Sequence, residues 1–275
     1  MLHIIDNQNS VTISNGDRQI KVRRSKMNPN HTVETSPQIY ARTAGLLYLI
    51  VILGGIFAEI IVRDRLVVHG DAAATAHNIK AHELLYRAGF AVEIFYCACN
   101  VPLILIFYKL FKPVNRNLTL LVVLFSVVGT AIESVSLLAH FAPLVFLGNG
   151  HQLSAFTPEQ LQAWSYLSLQ FFEYGFCTAL VFFGFYCLAM GYLIFRSTFL
   201  PRIIGVLLVI QGLCYLVNSF ANFLAPEFAK HFFPFLAASG IAEVSFCLWL
   251  LVMGVNVKKW NEVSIRPGRR APTET

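Results

Sequence analysis

Residues 118–146 read LTLLVVLFSVVGTAIESVSLLAHFAPLVF, 29 residues with one charged side chain, Glu133. About 20 apolar residues in a helix cross the hydrocarbon of a bilayer. The stretch therefore reads as a transmembrane helix, and one that carries an acid through the membrane.

Five further apolar runs of similar length lie near residues 40–62, 85–108, 163–195, 202–224 and 233–256. The chain is 56% hydrophobic and only 13% charged, against roughly 45–50% and 25% in soluble domains. The expected fold is all-α: a polytopic bundle of six transmembrane helices (residues 39–257). The first run is too long and too far from the N-terminus for a signal peptide. Lys112-Pro113 and Leu200-Pro201 break the chain between runs. Thr157-Pro158-Glu159-Gln160 has the form of a capping box with proline at the first helical position. Asp71 ahead of AAATAHNIKAH predicts a short extracytoplasmic helix between the first two spans.

Residues 1–38 are polar and basic and are expected to be a disordered tail, with Met27 a second candidate for the start of translation. Residues 258–275 read as a disordered basic tail in the cytoplasm. The net charge of +6 comes with basic residues at the chain ends: 11 of the 21 Lys and Arg lie before residue 43 or after residue 257. With the N-terminus inside, 16 basic residues fall on the inner side and five on the outer. That is a positive-inside signal, which places both termini in the cytoplasm of a cell inner (plasma) membrane protein. It is not the stripe of a nucleic-acid binder. The partner expected is the lipid bilayer, with no nucleic acid; oligomeric state is not legible.

Several stretches resemble the uncharacterised bacterial membrane family catalogued as domain of unknown function 4386. They include SPQIYARTAGLLYLI, GDAAATAHNI, GYLIFRSTFLPRIIGVLL and AEVSFCLWLLVMGV. The resemblance spans about residues 36–257 and implies a multi-pass inner-membrane protein. It implies no activity, so no catalytic residue is transferred from it.

Five glutamates, Glu59, Glu93, Glu133, Glu173 and Glu243, fall inside the runs. Each costs at least about 2.5–3.5 kcal/mol at the bilayer centre, so they are expected to face the bundle interior or pair with cations. Helical spacing gives each run one polar stripe. These are Tyr48, Gly55, Glu59; Tyr86, Glu93, Cys97, Asn100; and Gly129, Glu133, Ser136, His140. The fourth run offers Tyr166, Gln170, Glu173, Cys177, the fifth Gln211, Tyr215, Asn218, Asn222, and the sixth Gly240, Glu243, Cys247. The expected site is an acidic cavity opening outward and narrowing near Glu173 and Glu243, with Glu93, Glu133, Asn100, His140, Asn218 and Asn222 as further lining. Arg63 and Arg87 are the cations available to Glu59 and Glu93.

The leading functional expectation is a binder or carrier of a small polar or cationic solute. The competing ones are a membrane-embedded enzyme with an outer His/Glu metal site, and a non-catalytic accessory or stress-related protein. No cofactor or metal is expected. His82-Glu83-Leu84-Leu85-Tyr86 lacks the second histidine of a zinc helix, and the six cysteines form no CxxC pair.

Overall fold

A computed structural model describes residues 3–7, 10–15, 18–23 and 36–265. It divides into a unit over Met1–Ser36 and a unit from Pro37 onward. In the first, β1 (His3–Asn7), β2 (Ser10–Asn15) and β3 (Arg18–Arg23) form an antiparallel meander. Ile4 stands opposite Ile13, and Val11 opposite Val22. The expectation of a wholly disordered tail is corrected here. Val11 and Ile13, like Ile20 and Val22, alternate with polar residues, which is a strand period. Met27 lies outside the described residues.

The second unit is all-α. Its helices are α1 (Pro37–Ile56), α2 (Asp64–Leu66), α3 (Ala72–Ala81), α4 (Glu83–Phe111), α5 (Arg116–Phe146), α6 (Pro158–Ser197), α7 (Arg202–Leu224), α8 (Pro226–Val252) and α9 (Val257–Ile265). A π-helical turn over Phe57–Arg63 joins α1 to α2, giving one continuous rod from Pro37 to Leu66. That rod and α4, α5, α6 and α7 are each long and apolar enough to cross a membrane. Helix α8, 27 residues, is of spanning length as well. The short helix between the first two spans is α3, capped by Asp71 accepting from Ala74 N at 2.8 Å. The Thr157–Gln160 capping box is formed at the start of α6.

The long helices pack in chain order, α1–α4–α5–α6–α7–α8, and α8 closes back on α1. Six helices in a closed ring leave a space along the axis that side chains must fill. At the end where α1 begins and α8 finishes they do. Phe107, Phe111, Leu193, Leu208, Phe246 and Leu250 are all buried in one apolar cluster there.

The α6–α7 seam shows how closely the ring is drawn. Gly184 and Gly191 on α6 face Gly212 and Gly205 on α7. A methyl group on Gly191 would sit 2.5 Å from Gly205 O, and one on Gly205 2.6 Å from Gly191 O. Small residues let membrane helices approach backbone to backbone.

Past α8 the chain turns through Gly254 at φ 66°, a conformation that favours glycine. Gln38 at the start of α1 holds the turn, donating to Met253 O and accepting from Val255 N, both at 3.0 Å. Helix α9 then leaves at 96° to α8. Trp260 and Val263 are half-buried on one side of it, and Lys258, Lys259 and Glu262 are exposed on the other. Trp260 Nε1 donates to Leu110 O at 3.0 Å. Residues 258–265 of the tail expected to be disordered are therefore helical; residues 266–275 lie outside the described residues.

Gly191→Val should destabilise the bundle by at least about 1–3 kcal/mol, the usual cost of overpacking. Gly55→Ala, at a position with nothing within 4 Å, should change nothing. Thermal unfolding midpoints in detergent would distinguish them.

Candidate functional site

Glu93 on α4 has no exposed surface, yet a guanidinium and an imidazole reach it. Arg63 Nη2 lies 3.0 Å from Glu93 Oε1, and His140 Nδ1 of α5 lies 2.6 Å from Oε2. Arg63 also bridges to Glu59 Oε2 at 2.7 Å. The guanidinium sits 4.4 Å from the centre of the Phe172 ring on α6, a cation–π contact. His140 packs between the rings of Tyr86 and Phe172, and Tyr86 donates to the His140 carbonyl at 2.5 Å.

Local structure sets this up. The π-helical turn ends on Arg63, and Val62 lies against Gly89 of α4, where a methyl group would be 2.9 Å from the Val62 side chain. Without a side chain at Gly89, α4 comes close enough for Arg63 to reach Glu93. The cluster ties four elements together: the π turn, α4, α5 and α6. His140 Nε2 and Arg63 Nε are buried and have no hydrogen-bond partner among the described residues.

One helical turn along α4 from Glu93, and two along α5 from His140, the bundle opens into a cavity of about 480 Å³. Glu133 and Glu243 line it, with Asn100 and the rings of Tyr48, Tyr96, Phe183 and Tyr215 among its walls. No Lys, Arg or His is among the described lining residues. Each acid is held by neutral donors. Tyr96 donates to Glu133 Oε1 at 2.8 Å. Gln211 Nε2 and Tyr215 OH both donate to Glu243 Oε1, at 2.5 and 2.8 Å. Asn100 Nδ2 donates to Thr130 Oγ1 at 2.6 Å. Glu243 stands nine residues from the end of α8, about 14 Å along the axis.

Of the residues singled out by sequence, Glu133, Glu243 and Asn100 meet in the cavity. Glu93, His140, Glu59 and Arg63 form the cluster beside it. Tyr48, Gly55, Cys97, Tyr215 and Gly240 of the same stripes line the cavity too; several others fall elsewhere. Glu173 is exposed and does not line the cavity. The inward face of the first half of α6 is instead Ser165, Leu169 and Phe172; the predicted stripe was one residue off, or about a quarter turn. Helix α6 has 40 residues, about 60 Å, so it outruns the membrane. Its polar residues at that end can meet water rather than a cavity.

Arg87 does not serve Glu93; it pairs with Glu83 at 2.7 Å on the exposed face of α4. Asn222 donates to Asn218 O at 2.9 Å, and neither is among the described lining residues. His69, His77, His82 and His151 are exposed. Among the described residues no three His, Cys, Asp or Glu side chains come together to hold a metal ion. Sequence reasoning missed Tyr96 and Phe172, because both sit one position off the polar stripe of their helix.

Arg63→Ala strands two carboxylates, one of them fully buried, and should cost about 3–5 kcal/mol of stability. Arg87→Ala breaks an exposed pair and should cost no more than about 1 kcal/mol. Chemical unfolding of both variants in the same detergent checks the contrast.

The family model "Domain of unknown function (DUF4386)" matches residues 43–254. An uncharacterized protein of the archaeon Archaeoglobus fulgidus is 26% identical over 170 residues, covering 61% of this chain and 83% of its own length. No solved structure matches the chain. With the family match spanning most of its length, and all six long helices within or overlapping it, the chain belongs to the DUF4386 family of membrane proteins.

Proposed function

We propose that this protein binds a small organic cation in the central cavity and carries it across the membrane. The observation that supports the reading is the cavity itself: two carboxylates, aromatic walls, and no basic residue among the described lining. At about 480 Å³ it is of the size that takes small organic molecules. A cation entering it meets the carboxyl groups of Glu133 and Glu243 in a medium where charge pairs are weakly screened, so its arrival favours their ionised form. The faces of Tyr48, Tyr96 and Tyr215 add attraction for an ammonium group.

The donors on the acids favour a ligand that comes and goes. Neutral tyrosine and glutamine side chains hold each carboxyl group in place without a permanent ion pair, so it stays available to a cation. A lysine or arginine in that position would compete permanently with the solute. Protons compete as well, since a protonated acid no longer attracts a cation. This gives a physical route to exchange of solute against protons.

The closed apolar end of the ring and the Arg63 cluster bound the cavity along the axis, which suits a site reached from one side at a time. We assign the chain to a plasma membrane with both termini in the cytoplasm, on the strength of the 16-to-5 distribution of basic residues.

Purified protein should be stabilised by tetramethylammonium and not by an anion of similar size such as benzoate. Glu243→Gln and Glu133→Gln should each weaken that binding by about tenfold to a hundredfold, as expected for loss of one charge–charge attraction in a weakly screened site. Tyr215→Phe should weaken it less. Equal binding by the wild type and the Glu133→Gln/Glu243→Gln double variant, measured by calorimetry, would rule the reading out.

A further inference from the structure

On the lipid-facing side of the bundle, between α4 and α5, lies a second hollow of about 420 Å³. Its rims are two stripes at helical spacing: Ile94, Ala98 and Val101 on α4, and Val127, Ala131 and Ser134 on α5. These rims face out of the ring; Ile94 is 43% exposed, Val101 51% and Val127 47%. Ala98 and Ala131 at the centres of the two rims leave the gap that larger side chains would fill. The hollow is mostly apolar, as a space continuous with lipid must be.

Its floor is different. Cys97, Asn100 and Ser126 form it, and the same three residues line the central cavity from the other side. One layer of side chains therefore separates the bilayer from the space that holds Glu133 and Glu243. Across that layer runs the Asn100–Thr130 hydrogen bond, α4 to α5 at 2.6 Å. It is a polar link between two neutral side chains, and swinging the Asn100 amide aside uncovers no charge.

We propose that this hollow is a side entrance, through which the solute of the central cavity arrives from the membrane rather than from water. The occupant is an amphiphilic amine: an ammonium group on a hydrocarbon body that dissolves in the bilayer. Its tail suits the apolar rims, its ammonium group suits the acids beyond the floor, and the Asn100–Thr130 pair is the latch between them. The inference rests on the reading of the central cavity as a cation site and narrows the class of cation it takes.

The test compares two probes on the whole protein in lipid nanodiscs. Octyltrimethylammonium dissolves in the bilayer, and tetramethylammonium stays in water. Ala131→Trp places an indole in the hollow from its exposed rim. It should slow octyltrimethylammonium association by about tenfold and leave the tetramethylammonium rate and both extents of binding unchanged. Thr130→Val removes the latch without adding bulk and should speed entry of the octyl probe about fivefold, the effect of one hydrogen bond; it also serves if the tryptophan variant does not fold.

Equal slowing of both probes, or of neither, overturns the side entrance alone. If Ala131→Trp loses a copurified phospholipid while octyl entry is unchanged, the hollow holds a lipid chain and the proposal fails. If neither probe binds the wild type, the cation reading of the cavity falls and the entrance falls with it.

Discussion

A carboxylate with no exposed surface, deep in a helical bundle, must be matched by positive charge or be neutral. Glu93 is matched by Arg63, and His140 Nδ1 adds a hydrogen bond. Because these partners come from the π turn and from α5, satisfying one acid fixes three elements against each other, and Phe172 under the guanidinium adds α6 as a fourth. Desolvating such a group costs several kcal/mol per ion unless the geometry is good and the remaining polar atoms are bonded. Here the first condition is met by two short contacts. The second is met only in part, since Arg63 Nε and His140 Nε2 are unpartnered. A cluster of this kind is poor as glue and specific as a registry device, and π-helical turns within helices occur mostly at functional sites.

The cavity and the cluster contrast in their chemistry. In the cluster, acid is compensated by base. In the cavity, acid is compensated by nothing but hydroxyl and amide hydrogens. The same ring of helices thus holds one carboxylate set that is internally balanced and another that is left open. The balanced set supports the structure; the open set is what a positively charged ligand completes.

How much of this was legible beforehand depended on which physical signal carried it. Span positions, the α3 cap at Asp71 and the Thr157–Gln160 box all follow from local chemistry and are found where the residues indicate. Glu133, Glu243 and Asn100 were found because isolated polar residues in long apolar runs must turn inward. Glu173 misled for the complementary reason: length alone does not reveal that α6 continues past the membrane, where a polar stripe no longer implies an interior. The choice of Arg63 over Arg87 for Glu93 depends on the π turn and on Gly89, a tertiary match that neither helix encodes by itself. In the N-terminal unit the period-2 signal was present but lay among charged residues.

The right-angle turn at Gly254 bears on where the bundle sits. Helix α9 stands at 96° to α8, and Trp260 moors it to the end of α4 through Leu110 O. Tryptophan and lysine side by side favour the boundary between headgroups and hydrocarbon. Helix α9 is thus pinned twice, at its start by the turn that Gln38 holds and along its length by Trp260, so the last turn of α8 cannot shift without moving both α1 and α4.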